Sequence, residues 1–252
     1  MNGYYVSIKS LSGKINLNYI NPNIILNSGF KNLFENNSIS LFNDLLNEKL
    51  LNSYEDIQDF ISKENFDKYF TFYGFGNINT IKEKALGEIV NKITKLNFGN
   101  EIINRRKILF QKKQYFQKET EFSMFCGIYY DDISPYINSY PQINVQFIEE
   151  DALRCLIDSP AFRMNNWNQK VNSLISLRNT QEITKEDISF ILGITKNDEL
   201  YYYLGCNTWA WQIDVVGKNT SCQVILYRAI DDSSINKPKF YLIEKKCDYR
   251  TN

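Results

Sequence analysis

The segment Phe240-Tyr241-Leu242-Ile243-Glu244-Lys245-Lys246 is an apolar run that ends in Glu-x-Lys. At the end of a strand, such a pair is what a restriction-type nuclease uses: the carboxylate helps to hold Mg²⁺ and the lysine stabilises the attacking hydroxide. The chemistry also needs a carboxylate on a neighbouring strand, which Asp214, or Asp231 with Asp232, could supply. Glu-x-Lys is a short pattern, however, and a strand that leaves the core into charged solvent reads the same way.

A second concentration of charge lies at residues 101–118. Six basic residues, Arg105, Arg106, Lys107, Lys112, Lys113 and Lys118, stand there against one acid, Glu101. A basic helix can grip phosphates, yet this spacing spreads the charges around the helix instead of forming one stripe. That distribution suits a solvated face or a docking helix for an acidic protein partner better than nucleic acid. The acid doublets Asp131-Asp132, Glu149-Glu150-Asp151 and Asp231-Asp232 do not make a glycosidase pair by themselves, because adjacent residues on a strand point to opposite faces. Gly74-x-Gly76 lacks the third glycine of a dinucleotide loop, and no GxxxxGK[ST] occurs. The chain contains no histidine, which removes Ser-His-Asp and Cys-His catalysis and His-ligated zinc. No cofactor is expected. Trp209-Ala210-Trp211 would place two indoles on one strand face, either as core or as a protein or sugar platform.

The elements that would position these residues read as helices first and strands last. Residues 1–8 alternate as a strand, and 9–37 read as irregular. Helical spacing begins at Ser38, and Ser53 with Asp56 marks another start. Thr80-Ile81-Lys82-Glu83 has the form of a capping box opening a helix through Ile93, with Gly99-Asn100 as its stop. A helix over about 101–117 follows. Ile143, Val145 and Phe147 alternate as a strand. Ser159-Pro160 opens a helix whose buried face holds Trp167, Val171, Leu174 and Ile175, and Thr184-x-x-Asp187 caps one that ends at Gly193. Strands are expected at Leu200–Leu204, Thr208–Val216, Ser221–Ile230 and Lys239–Glu244. No internal repeat is expected. The fold class is α+β: a mainly helical region over 1–126, then a mixed region over 127–252 with a mainly antiparallel β-rich end.

The 252 residues carry no formal net charge, so no global field favours nucleic acid or an anionic membrane. Aromatic residues make up 15% of the chain, with 17 Tyr and 17 Phe, a composition found at protein interfaces. No apolar run reaches the length of a membrane span, and the first residues have no secretory leader pattern. Five widely spaced cysteines without a CxxC pair suggest reduced thiols in the cytoplasm. A Cys206–Cys222 hairpin disulfide would require an oxidising compartment.

Two blocks carry a family resemblance. Tyr140-Pro141-Gln142-Ile143-Asn144-Val145-Gln146-Phe147 resembles the "PVxIxQF" strand of TssG-type proteins from the type VI secretion baseplate. Leu204-Gly205-Cys206-Asn207-Thr208, continuing to Cys222-Gln223-Val224-Ile225-Leu226, resembles the block that follows it, in which a Leu-Gly step leads through a loop to a strand. The helical stretch around 80–118 sits where that family has its helical middle. The resemblance implies a structural wedge subunit of a contractile injection machine, hetero-oligomeric, bound to a TssF-like partner and to further baseplate components. It brings no catalytic residues.

The expectation is therefore a non-enzymatic subunit of a cytoplasmic protein assembly. Its contact residues would be Phe72, Tyr73 and Phe75 in the aromatic loop, Arg105, Arg106 and Lys112 on the basic helix, and Trp209 and Trp211 in the β-rich end. Two alternatives stay open: a Mg-dependent nuclease using Glu244 and Lys246, and a small immunity- or inhibitor-type binding protein.

Overall fold

The computed structural model describes residues 3–34, 39–112, 114–162, 164–228 and 240–249. Ser38, Lys113, Ile230, Asp231, Asp232 and Lys239, which entered the expectations above, lie outside them. The fold is α+β, with a four-stranded antiparallel sheet whose strands come mostly from the C-terminal part.

Three times the chain repeats one hexad, and each time it folds in the same way. The hexads are Ile15-Asn16-Leu17-Asn18-Tyr19-Ile20, Gly76-Asn77-Ile78-Asn79-Thr80-Ile81 and Ile143-Asn144-Val145-Gln146-Phe147-Ile148. The first two residues of each make a short strand: β2 (Ile15–Asn16), β4 (Gly76–Asn77) and β6 (Ile143–Asn144). Each pairs in parallel with a two-residue strand that closes its own repeat: β3 (Phe70–Thr71), β5 (Ile137–Asn138) and β7 (Leu204–Gly205). The leading Asn then ends the strand. Its side-chain oxygen accepts from the backbone N–H two residues on, at 2.9 Å for Asn16, 2.7 Å for Asn77 and 2.9 Å for Asn144. This is an Asx turn, a local hydrogen bond that competes with the ladder. Its backbone oxygen accepts from the Ile at the hexad's end. The absence of an internal repeat expected from sequence is thus corrected, and so is the strand over Ile143–Phe147: it stops at Asn144, and Phe147 is exposed.

A helical hairpin follows each hexad. In the first repeat it is α1 (Pro22–Leu26) and α2 (Ile39–Glu48), in the second α4 (Glu83–Thr94) and α5 (Phe98–Gln111), and in the third α8 (Glu150–Asp158) and α9 (Trp167–Arg178). A further helix completes each repeat: α3 (Lys63–Tyr69), then α6 (Glu119–Cys126) with the short α7 (Tyr130–Ile133), then α10 (Lys185–Leu192) with the short α11 (Leu200–Tyr203). Several local expectations change. α4 starts at Glu83 with Lys82 as its N-cap, because Thr80 is held inside the second Asx turn. Gly99-Asn100 lies in the first turn of α5, and α4 ends instead on Lys95 in the left-handed conformation (φ 56°). Gly99 is needed for contact: a Cβ there would meet Gly87 at 2.7 Å, so two glycines let α4 and α5 touch. Ser159 is the C-cap of α8, not a helix start. Leu200–Tyr203 is a helical turn, not a strand. The capping box at Thr184 and the stop at Gly193 are as read from sequence, and so is the buried face of Val171, Leu174 and Ile175.

The amide at the fourth hexad position ties each repeat shut. Asn18 binds the N–H and C=O of Leu51 at 2.7 and 2.8 Å, and Asn79 binds those of Phe116 at 2.8 and 2.9 Å. Gln146 accepts from Ile183 N–H at 3.2 Å and donates to the Arg178 carbonyl at 2.9 Å. Arg106 donates to the carbonyls of Ile78 and Ile81, and Arg178 to the equivalent pair, Val145 and Ile148. One core joins the first and third repeats, from Ile15 and Phe42 to Leu156 and Tyr203. A second core fills the middle repeat, around Leu86, Ile102 and Phe122.

Candidate functional site

The sheet takes one strand from before the repeats and three from after them. β1 (Tyr5–Ser10), β8 (Ala210–Val216), β9 (Thr220–Arg228) and β10 (Phe240–Tyr249) lie side by side in that order, all antiparallel. Ser12 anchors the sheet to the helical body: its hydroxyl accepts from Trp209 N–H at 2.8 Å and Ala210 N–H at 3.1 Å, and its carbonyl accepts from Asn144 N–H at 2.6 Å. Alternation along each strand gives the sheet two faces of different character.

The inner face meets the helical body. Leu11, Ala210, Ile225 and Tyr227 form a small buried core there, packed by Tyr73. Besides Val216, Tyr5 and Tyr241, the rest of this face carries polar and charged side chains, several of which pair with one another. Glu244 lies 2.5 Å from Lys246 and accepts a short hydrogen bond from the Tyr73 hydroxyl. Burial works to raise the Glu244 pKa, but the bonds from Lys246 and Tyr73 outweigh it and hold the carboxyl below its ordinary value. Burial and the Glu244 charge push the Tyr73 phenol up. Asp214 accepts from Gln212 and Gln223 and lies 3.7 Å from Lys9. Tyr73, Lys246, Gln212, Gln223 and Lys9 border an open cleft of about 680 Å³ that is also lined by Lys14, Lys63 and Glu149.

The expected nuclease constellation does not assemble around Glu244 from Asp214. Those residues sit on β10 and β8, which are separated by β9, so their strands are about 10 Å apart. Among the described residues, no group of three His, Cys, Asp or Glu side chains could hold a metal ion. Asp231 and Asp232 lie outside the described residues.

The outer face is largely apolar, with Lys245 opposite Val224, Arg228 opposite Phe240 and Ser10 opposite Trp211 as its polar members. Register places Val6, Ile213, Val224 and their neighbours Ile8, Trp211 and Leu226 on it, and Leu242 follows on β10. None of these side chains belongs to a buried core. Val6, Ile8 and Leu242 are 54%, 66% and 60% exposed. Three strand spacings by about seven residues give a footprint on the order of 300 Å², the lower end of the largest apolar patch on a typical monomer, which is often functional. The Cys222–Cys247 disulfide crosses this face between paired residues of β9 and β10. The cysteine reading is corrected accordingly: Cys222 pairs with Cys247, not with Cys206, which is free, as are Cys126 and Cys155. The sequence signal for the bridge is weak, because register across the 229–239 connection cannot be counted from spacing.

The expected contact residues separate into interior and surface. Phe75 and Trp209 are buried against each other, ring centroids 6.0 Å apart, and Trp209 also meets Tyr140. Arg106 is buried because its guanidinium serves the carbonyls of the second hexad. These three are corrected to interior roles. Phe72 is half-buried against Phe66, and Tyr73 is held by Glu244. Arg105 and Lys112 are exposed on and just after α5. Trp211 lies on the outer sheet face, edge-on to Phe240 at 5.8 Å, so the two indoles do not form one platform. No helix among the described residues is long and apolar enough to cross a membrane. A scan against protein-family models and a search of the curated proteins each matched nothing.

Proposed function

We propose that this chain is a non-enzymatic subunit that binds other proteins through the outer face of its four-stranded sheet. The observation that carries this reading is the face itself: largely apolar across four strands, with its side chains in none of the buried cores of the described residues, and flanked by exposed Val6, Ile8 and Leu242. A sheet with one solvated side ordinarily alternates to polar residues there. Here most of the charge is on the inner side, where Gln223 donates to Asp214 and Lys246 pairs with Glu244. Trp211 is the aromatic anchor of the face, the residue type that dominates binding energy at protein interfaces.

The narrower reading, a type VI baseplate wedge subunit with a TssF-like partner, rests on the two resembling blocks. They do meet in space, as the β6–β7 pair. But the Ile143–Ile148 hexad is one of three in the chain, so it reads first as an element of the repeat. The Cys222–Cys247 bridge also favours an oxidising compartment over the cytoplasm.

The test is affinity capture from the native host, with mass spectrometry of what is retained, run in parallel on the wild type and Leu242→Asp. A protein partner held in defined proportion by the wild type and weakened at least tenfold by Leu242→Asp is expected. Equal capture by both chains, or nucleic acid in place of protein, would overturn the proposal.

A further inference from the structure

The two edges of the sheet are not alike. β10 has the devices that keep an edge from pairing: a bulge between Leu242 and Glu244, a disulfide to β9, and the charged run Glu244, Lys245 and Lys246. β1 has none of them. Its register with β8 runs unbroken from Tyr5 to Ser10, it contains no proline, and Lys9 is its one charge.

The hydrogen-bond phase of β1 follows from one bond. Leu11 N–H donates to the Ala210 carbonyl at 2.9 Å. Pairs across an antiparallel ladder alternate between bonded and non-bonded, so Lys9, Ser7 and Tyr5 spend their backbone groups on β8. The N–H and C=O groups of Val6, Ile8 and Ser10 therefore point away from the sheet. The neighbouring ladder keeps the same phase, with Gly217 N–H on Thr220 and Arg228 N–H on Trp209.

We infer that β1 pairs antiparallel with β1 of a second copy of this chain, in a register centred on Ser7. In that register Val6 bonds Ile8 of the other copy in both directions, using the outward-pointing groups. The same pair places Val6 beside Ile8 on the outer face and extends the apolar surface across both copies. On the inner face Lys9 lies opposite Tyr5 and Ser7 opposite Ser7, so no like charges meet. The strand is thus its own complement, and the pairing closes on a two-fold axis. The result is one eight-stranded sheet with both β10 edges outward and guarded. This deepens the reading of the sheet as a binding surface by naming one partner.

Sedimentation of the purified full chain over a concentration series tests the inference. Wild type is expected to form a dimer. Ile8→Pro removes an outward N–H, and the double variant Val6→Lys with Ile8→Lys puts charge at two exposed positions without removing a backbone donor. Each should raise the dimer dissociation constant at least tenfold while circular dichroism, and the melting of wild type and variants diluted until all are monomeric, stay unchanged. Ser7→Cys should crosslink two copies on mild oxidation, and Tyr5→Cys should not. A wild-type chain that is monomeric throughout, variants that dimerise equally, or a dimer that Ser7→Cys fails to crosslink would each overturn the inference. A monomeric chain that still loses its captured partner through Leu242→Asp would overturn edge pairing alone and leave the outer-face reading standing.

Discussion

An amide side chain that binds both the N–H and the C=O of one distant residue acts as a strand partner one residue long. Asn79 does this to Phe116, which is 4% exposed. Removing the amide leaves two backbone groups without partners in an interior that water does not reach, at a cost of about 2–4 kcal/mol. Asn79→Ala is expected to lower stability by that amount in urea unfolding, and Asn100→Ala, at an exposed site, by less than about 0.5 kcal/mol. Equal effects would show that the clamp contributes nothing specific. Lys185 gives a pH-dependent case. Its amine donates to the carbonyls of Tyr201 and Leu204 and lies over the Tyr201 ring, and burial pushes it down to about 7. In the unfolded chain a lysine titrates near 10.4. Between those values the unfolded state holds a proton that the folded state lacks, so stability rises with pH across that window. Below about 7 both states are protonated and burying the ammonium costs most. From pH 6.5 to 8.5 the wild type should gain about 1–2 kcal/mol relative to Lys185→Met; parallel pH profiles would refute the shift. Lys82, pushed down to about 8 by burial, is present in both chains and cancels in the comparison.

At the scale of elements, β10 is the strand most dependent on a covalent tie. It follows a connection of eleven residues after β9, and its outer side has no neighbour among the described strands. Cys222 and Cys247 close a loop with a sequence separation of 25, which by the loop-entropy relation contributes about 3.5 kcal/mol. Reduction, or Cys222→Ser with Cys247→Ser, should lower unfolding stability by about that much and release the β10 amides to exchange first. Peptide mapping without reductant should recover the linked pair. Unchanged stability on reduction would sink this prediction. The sequence made β8 and β9 legible because their alternation is long, and α10 because Thr184, Asp187 and Gly193 each have a distinct capping role; β10 was legible only in part, since the strand expected to end at Glu244 continues through Lys245 and Lys246 to Tyr249. It concealed the short strands. Ile143, Val145 and Phe147 alternate correctly, but the Asn144 side chain captures the Gln146 N–H and turns the chain after two residues. The repeat was hidden by composition, since Asn is so common here that its recurrence at one hexad position carries little weight alone. What distinguishes it is the conjunction of Asn, then Asn or Gln two residues later, then Ile, ahead of a helix. Among the candidate site residues, Phe75, Arg106 and Trp209 are of types that serve interfaces and interiors equally, and sequence alone could not separate the two roles.

At the scale of the whole molecule, chain order and core order differ. The first and third repeats share one core, whereas the second builds most of its own, to which the first adds Tyr19 and Leu50, and also meets them through bonds such as Lys82 to the carbonyls of Leu17 and Leu46 and the Tyr203 hydroxyl to Thr80. A cavity in the shared core should therefore act at long range in sequence, and one in the middle core should act locally. Leu156 and Leu86 are both fully buried, one in each core, so either change to Ala should cost about 2–5 kcal/mol. Native-state hydrogen exchange separates their consequences, because regions that open together lose protection together. Leu156→Ala is expected to speed exchange in both α1–α3 and α8–α10 while α4 and α5 keep most of their protection. Leu86→Ala should open α4–α6 and leave Phe42 and Leu174 in protected surroundings. Uniform loss of protection in both variants would mean that the two cores unfold as one unit. The bonds and packing of the middle repeat would then couple it as tightly as the shared interior couples the first and third.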